Sequence, residues 1–283
     1  MLSVIIPVYN RRGALLLCLG ALDRQSCRDF EVIVADDGSD DLPVEVLINY
    51  PWHFPYLYVR QERKGVRIGQ ARNLGAKLAS GTGLVFVDSD VLLNPTALGH
   101  YTNIHQANPD AIIGGRYDWL PPLQITLDDV QSKWKKVVSG DLPKREVGEA
   151  YLGLQGQDPR EVANDVWFDS DAFRYDYCLA LFSGNMLWPA RIFREIGGFD
   201  ENMTGHGGED CELAMRAQER GLPALFSYEV IGYHVWHPRD QERNMREVKA
   251  NVEYIRAHHD ILALGVKLGK VDELPLVGGT HAS

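Results

Sequence analysis

Apolar residues along this chain fall into short runs that alternate between two periods. Ser3 to Val8, with Pro7 inside it, Phe30 to Ala35 and Leu84 to Val87 are compact apolar stretches rich in Val and Ile. Runs of that length and composition suit strands buried on both faces of a parallel sheet. Helical patterns lie between them. Ala14 to Leu22 is apolar on nearly every side and predicts a well-buried helix. Across Gly69 to Ser80, the residues Ala71, Leu74, Gly75, Leu78 and Ala79 share one face, and Gly81 marks the stop. Tyr56 to Arg60 predicts a third short strand, Pro95 to His105 another helix and Ala111 to Arg116 another strand. A strand, a helix and a strand in quick succession make a βαβ unit. The pattern therefore predicts an α/β fold with a mostly parallel central sheet flanked by helices.

Clean periodicity lapses between Asp118 and Tyr177, where Pro121-Pro122, scattered acids and the aromatics Trp119, Trp134, Trp167, Phe168, Phe173, Tyr175 and Tyr177 replace it. This stretch reads as an inserted substrate-recognition region, a lid or a decorated loop. Regular patterning returns at Phe182 to Leu187. A short helix over Arg191 to Ile196, a turn over Gly197 to Glu201 and a helix over Glu209 to Arg220 follow. Ala224 to Trp236 predicts a strand and Glu242 to Ile261 a long charged helix before a frayed tail. Three parts are expected: 1–115; 116–240, with 118–177 as a variable insertion; and 241–283, a C-terminal helix and tail.

Charge and composition narrow the partners. A net charge of −10 over 283 residues argues against nucleic acid or an anionic membrane as the main partner. Cys18, Cys27, Cys178 and Cys211 show no CxxC pairing, which fits reduced thiols in a cytosol. A strand begins directly after Met1-Leu2, leaving no signal peptide, and no apolar run approaches the ~20 residues of a membrane span. The expectation is a cytoplasmic, soluble chain, at most peripheral to a membrane.

The strand over Leu84 to Val87 stops at Asp88-Ser89-Asp90. Residues i and i+2 at a strand end point the same way, so two carboxylates can converge, and converging carboxylates call for a hard cation such as Mg²⁺ or Mn²⁺. In an open α/β sheet that edge is where phosphorylated ligands bind. A second copy, Asp169-Ser170-Asp171, lies in a polar stretch and reads as loop. Tyr9 follows the first strand and offers a ring for base stacking. Asp36 and Asp37 end the second strand, and Arg72 lies in the first turn of its helix, suited to a base carbonyl or a phosphate. Glu209-Asp210 opens a helix after Gly205, Gly207 and Gly208, glycines that let backbone approach a sugar closely. No G-x-G-x-x-G follows a strand, which excludes a dinucleotide dehydrogenase.

Taken in order, Val4-Ile5-Ile6-Pro7-Val8-Tyr9-Asn10, Asp36-Asp37-Gly38-Ser39, Ala71-Arg72-Asn73-x-Gly75, Asp88-Ser89-Asp90, Gly197-Gly198-Phe199-Asp200 and Gly207-Gly208-Glu209-Asp210 resemble a family. It is the large inverting group of nucleotide-sugar glycosyltransferases with a GT-A fold, usually called family 2. The resemblance runs from residue 3 to about 240, with 118–177 unmatched. The Gly-Gly-Glu-Asp segment and the following histidine are also similar to the polypeptide N-acetylgalactosaminyltransferases and the β-1,4-galactosyltransferases.

The resemblance implies a metal-dependent transfer of a sugar from a UDP-sugar to an acceptor hydroxyl, with inversion. It makes 1–115 the nucleotide-sugar-binding half and 116–240 the acceptor-binding and catalytic half, and assigns the nucleotide to Pro7, Tyr9, Asn10, Asp36, Asp37, Arg72, Asp88 and Ser89, with Asp37 accepting from the uracil imide. Asp90, His234 and Asp88 would hold Mn²⁺ or Mg²⁺. Asp210 would be the general base, and Glu209 would hold sugar hydroxyls or acceptor. Ser183, Gly184, Asn185, Gly207, Gly208 and His237 would line the sugar and acceptor. A retaining transferase on the same fold, a sugar-nucleotide nucleotidyltransferase and a non-enzymatic carbohydrate-binding protein are the rival readings. The nucleotidyltransferase's glycine-rich, lysine-containing loop after the first strand is absent. The donor sugar stays open. So does the acceptor, a glycan, a lipid-linked glycan, a small molecule or a peptide.

Overall fold

A computed structural model describes residues 1–144, 181–238 and 240–259. Trp167, Phe168, Asp169-Ser170-Asp171, Phe173, Tyr175, Tyr177, Cys178 and the tail lie outside the described residues. Among these residues the chain runs β1 (Leu2–Val8), α1 (Arg12–Asp23), β2 (Phe30–Asp36), α2 (Val44–Ile48), β3 (Tyr56–Arg60), α3 (Ile68–Leu78), β4 (Gly83–Val87) and β5 (Val91–Leu93). It continues through α4 (Ala97–Ala107), β6 (Ile112–Trp119), α5 (Leu127–Ser132), α6 (Trp134–Ser139), β7 (Asn185–Pro189), α7 (Ala190–Ile196), α8 (Glu209–Glu219), β8 (Ala224–His234) and α9 (Gln241–His258). No helix among the described residues is long and apolar enough to cross a membrane.

One eight-stranded sheet has the order β3-β2-β1-β4-β7-β6-β8-β5. The apolar runs read from sequence form its parallel part: β1 pairs in parallel with β2 and with β4, and β2 with β3. Beyond β4 the sheet is mixed, since β7 is antiparallel to β4 and β6, β6 is parallel to β8, and β5 is antiparallel to β8. Two layers of core cover its faces. Leu15, Leu19, Leu22 and Tyr101 pack with Val4 and Val34 on one side, and Ile5, Phe86, Trp188, Phe199 and Leu213 pack on the other. The boundary expected at residue 115 falls inside β6, and the two halves share one sheet.

Because β2 and β4 flank β1 on opposite sides, the strand order reverses at β1, and the crevice beyond its carboxyl end is open for a ligand. Tyr9-Asn10, Asp36-Asp37 and Asp88-Ser89-Asp90 all lie at that edge. Gly81, expected as the stop of the helix, acts differently. α3 already ends at Leu78, with Ala79 extended, and a Cβ on Gly81 would sit 2.7 Å from the Ser3 backbone nitrogen. It is a point of close approach to β1.

Candidate active site

The turns after β1 and β2 are stitched together. Asn10, in left-handed conformation at φ 50°, donates its N–H to Ser39 Oγ (2.9 Å), and Asp40 N–H donates to Asn10 Oδ1 (2.7 Å). Asp36 is wholly buried and structural: it accepts from Ser39 N–H (2.8 Å) and Tyr58 Oη (2.5 Å). Asp37 accepts from Gln61 Nε2 (2.5 Å) and Arg67 N–H (2.6 Å). Burial raises its pKa against those hydrogen bonds. Tyr9 is half-buried, with the Arg63 guanidinium 5.7 Å from its ring centroid. Pro7 lies buried within β1, opposite Ala35.

At the tip of β4 the two aspartates diverge. Asp90 faces β8 and the loop after it: its Oδ1 is 3.6 Å from His234 Nε2 and its Oδ2 is 3.1 Å from His237 Nε2. One ligand atom from each of these residues lies within 4.8 Å of the others, a group able to hold a metal ion. His234 is 2% exposed, its ring 4.1 Å from that of Trp119, and Asp90 O accepts from Val235 N–H (2.8 Å). Arg11 Nη2 lies 2.8 Å from His237 Nδ1. Burial works to raise the pKa of Asp90, but His234, His237 and Arg11 overcome it and hold the carboxyl well below the usual range. His237, expected at the sugar, thus joins the candidate ligands. Asp88, expected among them, lies outside that group. The missed signal for His237 was the i, i+3 spacing of His234 and His237 where β8 ends.

Asp88 turns to Arg72. The Arg72 guanidinium donates through Nη2 to Asp88 Oδ1 (2.7 Å) and through Nη1 to Glu209 Oε1 (2.8 Å). It is 1% exposed, with both terminal nitrogens engaged by carboxylates. Its neighbour Asn73 clamps Phe199, accepting from Phe199 N–H (2.9 Å) and donating to Phe199 O (2.8 Å). The Ala71-Arg72-Asn73-x-Gly75 and Gly197-Gly198-Phe199-Asp200 segments are therefore two sides of one joint.

Asp210 sits in the first turn of α8, a favourable place for an anion. It accepts from Ser183 N–H (3.3 Å), and Ser183 Oγ is 3.4 Å away. Burial and Glu209 raise its pKa, Arg72 opposes them, and the result is about 6. The next residue, Gly184, touches the other acid: its carbonyl accepts from Asp88 N–H (3.4 Å), and a Cβ there would lie 2.9 Å from Asp88 Oδ2. Ser183-Gly184 thus separates the β4 tip from Asp210.

Asn185, Gly207 and Gly208, expected at the sugar and acceptor, have close partners within the protein. Asn185 is buried in the sheet, where the β6–β8 register jumps between Gly115 and Arg116. Its Nδ2 donates to Arg116 O (2.8 Å) and Val230 O (3.3 Å), and Tyr101 Oη donates to its Oδ1 (2.9 Å), so the amide is tied into the bulge. Gly207 and Gly208 hold φ of 82° and 95°, and they face α9: added Cβ atoms would lie 2.9 Å from Val248 Cγ2 and 3.5 Å from Asn251 Cβ. Their freedom is needed for the turn into α8 and for the helix packed on it.

Residues 3–123 match the family described as Glycosyl transferase family 2, and residues 166–259 match N-terminal domain of galactosyltransferase. Validoxylamine A glucosyltransferase of Streptomyces hygroscopicus subsp. jinggangensis is 35% identical over 267 residues, covering 93% of this chain and 62% of that protein. Chondroitin synthase of Escherichia coli is 26% identical, covering 89% of this chain and 37% of that protein. The chain therefore spans less than two thirds of either relative's length. Among solved structures, S. aureus TarS 1-349 in complex with UDP superposes with a TM-score of 0.56 at 18% identity, covering 89% of this chain and 65% of that one. Mannosyltransferase PcManGT from Pyrobaculum calidifontis, in complex with GDP-Man and Mn²⁺, gives 0.56 at 18%, covering 95% and 65%. At such identity the likeness shows the fold.

Proposed function

We propose that the chain is a nucleotide-sugar glycosyltransferase of GT-A fold, family 2-like over residues 3–123, and that it transfers a sugar from a UDP-sugar to an acceptor hydroxyl with inversion. The observation that carries the reading is the arrangement around Ser183-Gly184. On one side stands the β4 tip, whose Asp90 gathers with His234 and His237. On the other stands Asp210, half-buried and with its pKa raised to about 6. A leaving group and a base belong on opposite sides of a displaced carbon, and this spacing supplies both.

Tyr9, Asn10 and Asp37 border the crevice for the nucleoside. Two imidazoles and one carboxylate form a donor set that fits Mn²⁺ better than Mg²⁺, and Asp90, His234 and His237 would hold it. Held there, such a cation would supply Lewis-acid stabilisation of the departing diphosphate's charge. Asp210 takes the proton from the acceptor hydroxyl at its carboxylate, and Ser183 orients that carboxylate through its N–H. Direct attack with a base of this kind inverts the anomeric centre. The part before residue 116 would bind nucleotide, and the part after it would bind acceptor. Family 2 sequence and the UDP-bound TarS likeness support the donor class.

The test is a panel of nucleotide sugars incubated with and without Mn²⁺, reading slow donor hydrolysis and product configuration. We expect hydrolysis of a UDP-sugar that needs the metal. With acceptor present, Asp210→Asn should lower turnover by about 10²–10⁴-fold, the range of general base catalysis, while UDP affinity measured by calorimetry stays near the parent value. Unchanged turnover in that variant would remove Asp210 from the reaction.

A further inference from the structure

We propose that Arg72 is a positioning residue, a strut that ties the tip of β4 to the first turn of α8 and thereby sets Asp210 against the donor edge. The proposal rests on Asp210 being the base. Its ground is geometry: one guanidinium, 1% exposed, reaches Asp88 at 2.7 Å and Glu209 at 2.8 Å, and its carbon lies 5.2 Å from the Phe199 ring centroid. Those partners come from three distant segments of the chain, and the strut is where they meet.

The charges explain why a cation is needed. Asp88, Glu209 and Asp210 crowd one locus, and Arg72 is the guanidinium that pairs with two of them. Without it the first turn of α8 would be driven from β4 by like charge, or Asp210 would hold its proton. A lysine could not substitute, because a single ammonium lacks the planar fork that spans two carboxylates at once. Arg72 is also prevented from swinging away. Asn73 is fixed to Phe199 by the reciprocal bonds, and a Cβ on Gly198, which holds φ 71°, would lie 2.5 Å from Asn73 Oδ1. The groups facing Asp210 are Glu209 beside it on α8, Arg72 from α3, the Ser183 N–H and hydroxyl ahead of β7, and the Cys211 N–H.

The decisive variants are Arg72→Gln and Glu209→Gln. Each is read by calorimetric titration with UDP and Mn²⁺, by the pH–rate profile, and by ¹³C NMR titration of the Asp210 carboxyl in the chain alone. A strut predicts opposite signs: Arg72→Gln moves the Asp210 titration upward, and Glu209→Gln moves it downward. Arg72→Gln should also lower turnover at pH 7 by at least tenfold while UDP affinity stays within about threefold of the parent, because both terminal nitrogens of the guanidinium are taken up by Asp88 and Glu209. Should Arg72→Gln fail to fold, Glu209→Gln carries the test through its downward shift. Loss of UDP affinity in Arg72→Gln with no movement of Asp210 would overturn the proposal and return Arg72 to the nucleotide. NMR shifts of the expected signs in a protein whose Asp210→Asn variant still transfers sugar would instead keep the strut and remove the base.

Discussion

At Asp210, burial and the adjacent Glu209 carboxylate favour the protonated form, and Arg72 pulls the other way. The carboxyl consequently titrates at about 6, above the ordinary aspartate value. A base must be ionised to accept a proton, so kcat/KM should rise with pH through about 6 and fall about tenfold per unit well below it. A pH–rate profile checks this, and a limb centred near 4 would contradict it. The sign for stability is opposite. The neutral carboxyl suits the fold, so its contribution is present below the ordinary pKa and is lost as pH rises through about 6. Asp210→Asn should therefore melt above the parent at pH 7, with the difference vanishing at pH 4. Asp210, Asp90 and His234 were legible in the sequence because each sits where an element begins or ends. Arg72 was found as a site residue, but its partners were not, since Glu209 comes from a helix far along the chain and nothing local links them. The partners of Asn185 were hidden for a related reason: the bulge that takes up its amide is a tertiary event between β6 and β8.

Elements hold these side chains by tight contacts, and α3 shows how. Gly75 lies over β1, where an added Cβ would sit 2.7 Å from Ile5 Cγ2 and 3.5 Å from Ala35 Cβ. Ile5 is fully buried and β-branched, so it cannot yield cheaply. Gly75→Ala should destabilise the protein by about 1–3 kcal/mol, the usual cost of overpacking, and thermal melting should fall by several degrees. Gly13→Ala in α1 is the control: nothing lies within 4 Å of its Cβ, and its melting temperature should hold or rise slightly. An equal loss in both would mean that helix packing on β1 is not what Gly75 provides. The long periodic elements were all visible in sequence. β5, with three residues, and the short α2, α5 and α6 were not, because a single turn or a three-residue strand carries too little periodicity to register. β5 matters nonetheless: it pairs Val91 with His234 and so brings the end of β8 to Asp90.

Across the whole molecule, the nucleotide edge and the base are carried by different parts of one sheet and its cover, and α9 closes the arrangement. The pattern of strands revealed the first part, since β2 and β4, parallel to β1 on either side of it, deliver their acids to a common edge by topology alone. The role of α9 was not visible, because a charged helix near the C-terminus gives no sign of which surface it covers. In the structure it lies on the turn that leads into α8. Asn251 Nδ2 donates to Gly207 O (2.8 Å), Glu247 Oε2 accepts from His206 N–H (2.9 Å), and Tyr254 Oη donates to Asp200 Oδ2 (2.8 Å). Ile255 is wholly buried beneath. Through these contacts the last described helix fixes the left-handed glycines and, one residue further, Glu209 and Asp210. Asn251→Ala should leave the Gly207 carbonyl without that donor and cost about 1–3 kcal/mol of stability. Its functional effect should be lopsided. Asp37, Tyr9, Asp90 and His234 belong to other elements, so UDP and Mn²⁺ affinities should stay near the parent values. Turnover should fall at least tenfold, because a loosened turn lets Asp210 drift from Ser183. Equal losses in affinity and turnover would mean that α9 supports the whole sheet and has no particular hold on the base.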